Sequence, residues 1–338
     1  MRHRSGMEGD PLTDVLALVN ARCVISRSFA AGGSWAVRFP PPGKIKFVAV
    51  VKGWCLLDVD NVVSNLRLET GDAFMLTGAS IYRLASDAAT PEQDGSGMFS
   101  DAVDNSAAIG NGSDFLAISG HIDLDPEHGS VLTEVLPPLI HVDRHSSEAS
   151  AIRWLLDQLV REVATESDRP GAVLASTQLA LLLFLQILRA HMAAGKFSAI
   201  GWIGALVDER VARAMRLMHG QPGRAWQLGE LAKEVGMSRT SFALRFKALT
   251  GVAPLAYLLH WRMRLAERGL RQGSLSVSEL GLSLGYSSES AFSNAFKRTM
   301  GMAPQRYRSS VGPHPSALGR AASAPNQDQE FPSSVGTS

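Results

Sequence analysis

Short apolar runs separated by glycine, proline and asparagine turns occupy residues 20–85 of the chain. The runs are rich in β-branched and aromatic residues, which favour strands. The pattern predicts strands at residues 35–39, 45–51, 55–59, 65–68 and 73–76, and another at 115–122. Many short strands joined by tight turns are typical of all-β domains, so we predict a small antiparallel barrel or sandwich here.

Residues 86–113 are rich in Asp, Ser, Gly and Ala and contain almost no large apolar residues, which favours a mobile loop. Farther along the chain, helical spacing of apolar residues predicts helices over residues 147–165 and 172–194. The stretch 172–188 is the most apolar of all, yet it includes Ser176, Thr177, Gln178 and Gln186. We interpret it as a buried or dimer-forming helix rather than as a membrane span.

Residues 207–308 have helical periodicity and contain an internal repeat. At an offset of 49 positions, Glu230-Leu231 and Gly236 recur as Glu279-Leu280 and Gly285. At an offset of 50 positions, Phe246-Lys247, Gly251 and Ala253-Pro254 recur as Phe296-Lys297, Gly301 and Ala303-Pro304. Each copy has a short helix, a glycine turn, a capping serine (Ser238; Ser287 or Ser288) and a second helix that ends at glycine. This order predicts two helix-turn-helix motifs rather than a plain helical bundle.

A connecting helix is predicted to begin at Pro254, because proline is favoured at the first helical position. At about 18 residues it would be roughly 27 Å long. That length could hold two reading helices about one DNA turn, roughly 34 Å, apart on the same face.

Charge distribution supports a nucleic-acid partner for this repeat. The chain of 338 residues has a net charge of +1, but residues 205–308 contain 16 Lys and Arg against 7 Asp and Glu. Such an excess in one domain favours binding to a polyanion. The length predicts two domains, and two cysteines without a recognisable signal peptide predict a reduced, cytoplasmic protein with no membrane partner.

Several short motifs within residues 206–308 are specific: Leu228-Gly229-Glu230-Leu231-Ala232, Met237-Ser238-Arg239, Phe246-Lys247, Gly285-Tyr286, Phe296-Lys297-Arg298 and Pro304-Gln305-Arg306-Tyr307-Arg308. On these motifs the segment resembles the AraC family of transcription regulators. The amino-terminal half is similar to the cupin-type sensor domain of such regulators, on its strand pattern and on Gly71-Asp72.

The resemblance implies an α+β protein with an amino-terminal cupin-like β-barrel, dimerisation helices and a carboxy-terminal all-α double helix-turn-helix domain. We place the sensor domain at residues 1–145, the helical dimerisation and linker region at 146–204, and the DNA-binding domain at 205–308. The remaining residues, 309–338, are rich in Ser, Pro, Gly and Ala, so we expect a disordered tail.

Helical geometry predicts which residues of the two reading helices face DNA. Packing should turn two triads inward, Phe242, Phe246 and Leu249 in the first helix and Phe292, Phe296 and Met300 in the second. The outward positions, which the resemblance also assigns to the major groove, are Thr240, Ala243, Leu244 and Lys247, and Ser290, Ser293, Asn294 and Lys297. We add Glu289 to this interface and expect phosphate contacts from Arg239, Arg245, Lys247, Lys297, Arg298 and Arg306.

The chemistry of the two reading faces differs. Asn294 can pair with adenine through two hydrogen bonds, whereas Thr240, Ala243 and Leu244 offer mainly methyl groups for thymine. Related proteins often have arginine at the positions of Leu244 and Asn294, and this departure argues against guanine readout there.

For the sensor half, the sequence favours apolar binding over metal chemistry. Residues 5–119 contain no histidine, so His121, His128, His141 and His145 follow the predicted core; we expect no metal and no cofactor. Aromatic residues on the strands either line a small-molecule site or fill the core; they are Trp35, Phe47, Trp54 and Phe74. Cys23 and Cys55 are interpreted as buried structural thiols rather than oxidant sensors.

These observations predict a non-enzymatic transcription regulator, acting as an activator on promoter DNA. A small-molecule effector or homodimerisation through the amino-terminal half would modulate it, and RNA polymerase would be a further partner. The alternative is a cupin-type enzyme that a basic helical domain tethers to nucleic acid. The absence of histidines from residues 5–119 argues against that alternative.

Overall fold

The computed structural model describes residues 10–78, 80–98, 106–112, 114–146, 148–162, 169–195 and 201–310. The chain divides into two compact units, of which the first ends at Arg264 and the second begins at Leu265. Strands dominate the amino-terminal half, and residues 201–310 contain helices without strands. The predicted α+β class is therefore confirmed.

Two sheets form the sensor half. Their strands are β1 (Arg22–Ala31), β2 (Ala36–Phe39), β3 (Ile45–Lys52), β4 (Trp54–Val59), β5 (Val63–Glu69), β6 (Ala73–Leu76), β7 (Tyr82–Ala85), β8 (Gln93–Asp94), β9 (Ser106–Ile109), β10 (Phe115–Asp123) and β11 (Leu139–Val142). One sheet has the order β11-β6-β3-β10-β1-β9 and the other the order β5-β4-β7-β2-β8. Neighbouring strands are antiparallel except for the edge pairs β1–β9 and β2–β8.

Aromatic side chains from both sheets meet in one buried core. The ring of Phe29 contacts the edges or faces of Trp35, Phe39 and Phe115, with ring centres 5.3, 6.3 and 6.0 Å away. Such inclined arrangements are favourable for aromatic pairs. Each fully buried side chain of this size contributes about 1.5–3 kcal/mol of hydrophobic stabilisation, so the cluster holds the two sheets together.

The six predicted strands are confirmed to within two residues at each end. Strands β1, β7 and β11 were not predicted; in β1 a register shift between Ile25 and Arg27 interrupts the alternation that would reveal it. The predicted loop at 86–113 is wrong in part, because it contains β8 and β9. The two residues of β8 pair through backbone hydrogen bonds with Val37 and Arg38, which requires no apolar pattern. Residues 99–105 and 113 lie outside the described residues.

Among the described residues, five helices lie before residue 209: α1 (Pro11–Leu18), α2 (Ser130–Thr133), α3 (Ala149–Val160), α4 (Ala172–Ala193) and α5 (Trp202–Ala205). Helix α4 packs against β1, β6 and β11 and buries Leu183, Phe184 and Ile187. Both predicted helices are found, although residues 147 and 163–165 lie outside the described ranges. By length and composition alone α4 could also span a membrane, but the same properties suit the core helix of a globular domain.

Seven helices follow: α6 (Glu209–Gly220), α7 (Leu228–Glu234), α8 (Arg239–Thr250), α9 (Pro254–Gln272), α10 (Val277–Ser283), α11 (Glu289–Met300) and α12 (Pro304–Ser310). The connecting helix α9 begins at Pro254, as predicted. Helix α12 continues to Ser310, two residues into the predicted tail, and residues 311–338 lie outside the described part of the chain.

The turn between β3 and β4 depends on a glycine, which yields a first prediction. Gly53 has φ of +79°, and a Cβ there would lie 2.1 Å from the carbonyl oxygen of Asp114. We expect Gly53→Ala to lower the free energy of unfolding by about 2 kcal/mol or more. The new alanine would have a strained positive φ, and the backbone at Asp114 would have to move away from its Cβ. Urea unfolding followed by circular dichroism measures the loss.

Gly33 is the matched control for this substitution. It has φ of +73°, but an added Cβ would meet no atom within 4 Å. Gly33→Ala should therefore cost only the backbone strain, about 1 kcal/mol. Equal losses in the two variants would contradict the steric explanation.

Candidate DNA-binding interface

The first reading helix, α8, has a serine cap and a glycine end. The hydroxyl oxygen of Ser238 accepts a hydrogen bond from the backbone N–H of Ser241 at 3.2 Å. At the other end Gly251 adopts φ of +83°, a conformation that glycine tolerates best. Gly236, in the turn before α8, also has positive φ. These three features define the turn, the start and the end of α8, and they confirm the predicted motif.

The second reading helix, α11, repeats the arrangement. Of the two serines considered from the sequence, Ser288 is the cap; its hydroxyl oxygen accepts from the N–H of Ala291 at 3.2 Å. The preceding helix α10 opens with a capping box, in which Glu279 accepts from the N–H of Ser276 at 2.8 Å and the Ser276 hydroxyl accepts from the N–H of Glu279 at 3.1 Å. Gly301 ends α11 with φ of +78°.

Buried phenylalanines set the rotation of both reading helices. Phe242 and Phe246 are fully buried in α8, and Phe292 and Phe296 are fully buried in α11. Their rings also contact each other within each helix, at 5.7 and 5.8 Å between centres. The predicted inward faces are confirmed for these residues, while Leu249 and Met300 are only half-buried.

The opposite faces carry the predicted groove residues. Ala243 and Ser293 are half-buried. The other predicted side chains are exposed: Thr240, Leu244 and Lys247 on α8, and Glu289, Ser290, Asn294 and Lys297 on α11. Leu244 is 67% exposed, so its side chain is available for contact. The structure thus groups the predicted positions of each helix on one accessible face. Arg239, Arg298 and Arg306 are exposed as well.

Arg245 differs from the other predicted phosphate contacts, because its guanidinium is already bound within the protein. It pairs with the carboxylate of Asp208, the residue that caps α6. Although burial alone favours the neutral acid, hydrogen bonds from Val211 and Arg245 lower the pKa of Asp208 below its ordinary value, so the pair is ionised. Asp208 is not among the residues predicted from the sequence, although an aspartate directly before Glu209-Arg210 is a helix-cap signal.

In the sensor half, only two of the four predicted ligand-binding residues share the core. Trp35 and Phe74 belong to the cluster between the sheets. Phe47 is buried on the other face of β3, where its ring lies against Gly120. Trp54 is 41% exposed and stacks with the guanidinium of Arg67, 4.3 Å from its ring centre. Alternation along β3 separates Phe47 from the core, since successive residues of a strand face opposite sides.

The polar residues of the sensor half do not form a metal site among the described residues. Asp125 holds Nδ1 of the buried His128 at 3.0 Å, and His141 lies 3.8 Å from the buried carboxylate of Asp72. Cys23 and Cys55 are both buried. Burial, together with the charge of Asp123 or Asp72 respectively, raises the pKa of each thiol to about 12.

Comparison with known proteins agrees with this architecture. Residues 10–193 match a family profile described as cupin, and residues 231–310 match one described as a helix-turn-helix domain. A putative AraC-like transcription regulator of Streptomyces lividans is 39% identical over 300 residues, covering 88% of this chain and 98% of the relative. The chain belongs to the AraC-like family of transcription regulators. A second AraC-like relative, from Streptomyces antibioticus, is 38% identical over 299 residues, with coverage of 88% and 98%.

This AraC-like regulator is also 31% identical over 248 residues to the HTH-type transcriptional regulator AlkR of Acinetobacter baylyi, which covers 71% of this chain and 79% of the relative. The helix-turn-helix domain binds DNA, and a cupin domain precedes it in the chain. Since the relatives are regulators, the protein is a transcription regulator rather than an enzyme. The alternative of a tethered cupin enzyme is not supported.

The thiol pKa values generate a prediction about reactivity. A thiol with a pKa of about 12 is almost entirely protonated at pH 8, and the thiolate is the reactive form. We expect neither cysteine of the native AraC-like regulator to react with Ellman's reagent over an hour at pH 8, and both to react at once in 6 M guanidinium. Rapid release of one equivalent from the native protein would contradict the burial seen here.

Proposed function

We propose that the outward faces of α8 and α11 each read a segment of the major groove in a target promoter. One observation carries the proposal: the groove positions of the two helices correspond at an offset of 50 residues and are accessible in both copies. The pairs are Thr240 and Ser290, Ala243 and Ser293, Leu244 and Asn294, and Lys247 and Lys297. Duplication of an exposed face, opposite a buried one, favours a shared ligand such as a repeating duplex.

The residues at these positions suggest different base preferences for the two helices. The exposed carboxamide of Asn294 suits adenine, which presents a donor and an acceptor in the major groove. Thr240, Ala243 and Leu244 suit the methyl group of thymine. Glu289 can accept from the amino group of cytosine. Contacts from Arg239, Lys247, Lys297, Arg298 and Arg306 to phosphates would add affinity without sequence preference.

For modulation we favour homodimerisation over a ligand inside the sandwich. Side chains such as Trp35 and Phe74 are buried between the sheets, and one pocket at the edge of this core has a volume of about 20 Å³, room for about one water. A small-molecule effector would have to displace its lining, which comprises Phe29, Phe39, Lys46, Val48, Tyr82, Leu84, Ala117 and Ser119.

Helices α3 and α4 offer the surface for a second copy. On α4, Leu174 and Leu182 are exposed at 66% and 46%, and their spacing of eight residues offsets them by about 80°, within the width of one apolar stripe. Trp154 on α3 is 58% exposed. Large apolar side chains grouped on the outside of a domain are typical of protein interfaces. We further propose that the protein acts in the cytoplasm as an activator that binds promoters and contacts RNA polymerase, as the family resemblance implies.

The salt dependence of promoter binding tests the reading faces. Lys247 and Lys297 make no ion pair among the described residues, so each can replace a counterion on a phosphate. Lys247→Ala or Lys297→Ala should flatten the slope of log affinity against log salt by about one unit. Arg245→Ala should flatten it less, because Asp208 already neutralises that guanidinium. Fluorescence anisotropy with a labelled duplex between 50 and 300 mM salt measures all three.

Two outcomes would count against the proposal. If Arg245→Ala matches Lys247→Ala, the Asp208 pair opens on DNA and the assignment of phosphate contacts is wrong. If Asn294→Ala loses no discrimination between the preferred duplex and a duplex with changed bases, α11 does not read bases through Asn294.

The proposed homodimer yields a further prediction. Leu182→Glu places a charge in the apolar stripe of α4, so the variant should elute as a monomer where the wild type elutes as a dimer. Light scattering coupled to size exclusion measures the mass. Leu282→Glu is the control, since Leu282 on α10 is 57% exposed and belongs to a different surface. A wild-type monomer at micromolar concentration, or a dimeric Leu182→Glu, would exclude this interface.

A further inference from the structure

A buried histidine joins the sensor half to the first helix-turn-helix motif. His219, near the end of α6, has no exposed side-chain area. Its Nδ1 lies 3.0 Å from Oδ2 of Asp14 on α1, and its Nε2 lies 2.8 Å from the hydroxyl oxygen of Tyr257 on α9. The imidazole also stacks on Trp261, with 4.0 Å between ring centres. Both ring nitrogens are therefore used, one toward each half of the protein.

The hydrogen bonds have one consistent direction when the imidazole is neutral. Burial raises the pKa of Tyr257, so its hydroxyl stays protonated and donates to Nε2. The remaining proton of the ring lies on Nδ1 and is donated to the carboxylate of Asp14. Removing either partner would leave a buried ring nitrogen without a hydrogen bond, which is a costly state.

The internal repeat shows that this connection is specific to the first motif. Tyr307 corresponds to Tyr257 at the offset of 50 residues. Its hydroxyl donates to Glu267 at 3.3 Å and accepts from Arg271 at 3.0 Å, so its partners belong to the helix that precedes its own motif. In the first motif, the equivalent hydroxyl reaches His219, and His219 reaches the sensor half. In both copies the hydroxyl therefore bonds to the helix before its motif, and in the first copy His219 of that helix also contacts Asp14 of the sensor half.

Both ends of this chain of contacts are anchored. The helix α1 is followed by Val19, whose carbonyl accepts from the N–H of Asp125 at 2.7 Å, just after β10. At the other end the ring of Tyr257 packs edge-on against Phe246 of α8, 5.6 Å between centres. Contacts therefore run without a gap from the sensor sheet to the buried face of the first reading helix.

We propose that Asp14, His219 and Tyr257 form a latch through which the sensor half holds the first reading helix in a DNA-competent orientation. Thr240, Leu244 and Lys247 are exposed in the structure, in which the latch is closed. The closed latch therefore leaves the reading face accessible to DNA. The latch therefore supports binding rather than blocking it, because a competent state that is held in advance has a higher apparent affinity. The inference goes beyond the proposed function and uses DNA binding as one readout.

The test uses the full chain and three variants. Asp14→Ala and Tyr257→Phe each cut the latch at one end, and Tyr307→Phe removes the equivalent hydroxyl from the second motif. We expect the first two to speed amide hydrogen exchange in α1 about tenfold and to weaken binding about three- to tenfold. The probe is a duplex that the wild type selects from a random library. Tyr307→Phe should leave exchange in α1 unchanged.

The outcomes are separable. The latch is overturned if Asp14→Ala and Tyr257→Phe speed exchange in α1 but bind DNA as tightly as the wild type, or more tightly. The contact would then stabilise α1 without supporting DNA binding. If Asp14→Ala fails to fold, Asp14→Asn decides, because its amide oxygen can still accept from Nδ1 and should keep both readouts near wild type. If the wild type selects no duplex, the proposed function fails; unchanged exchange in α1 of Tyr257→Phe then overturns the latch by itself.

Discussion

In each reading helix, two phenylalanines four residues apart determine which residues reach DNA. Phe242 and Phe246 on α8, and Phe292 and Phe296 on α11, have no exposed surface, so neither helix can rotate about its axis without exposing an aromatic ring to water. A rotation of one residue, about 100°, would also replace the whole outward set. Every statement about base contacts in this regulator therefore depends on the burial of these four rings.

The same logic of opposite faces organises the sensor half. Strand β3 contributes Val48 and Val50 to the core between the sheets, while Phe47 packs on the other side, toward the face that α4 covers on neighbouring strands. Because β3 is buried on both faces from Phe47 to Val50, a change on one face is felt on the other through close-packed side chains. The outer stripe of α4 then remains as an accessible apolar surface of that half.

Charge in the helical domain is distributed less simply than its excess of basic residues suggests. Asp208 caps α6 and neutralises Arg245, and Glu230 pairs with Arg224, which stacks on Trp226 at 4.0 Å. These cations stabilise the first motif, whereas Lys247 on α8 remains accessible. A local net charge therefore overstates the number of groups that can meet phosphates, since part of it is spent on internal contacts.

Much of this protein could be predicted from local sequence patterns. Short apolar runs between turn residues revealed six strands, and the repeat with its serine caps and glycine ends revealed both helix-turn-helix motifs, because caps, turns and buried faces depend on residues within one element. Contacts between distant segments left no such signal. The tertiary structure alone decided that Arg245 is paired, that Phe47 faces away from the core, and that His219 meets Asp14, 205 residues earlier in the chain. The spacing of apolar residues along the sequence shows which face of a helix or strand a side chain occupies. Its contacts with distant segments depend instead on how the elements pack together.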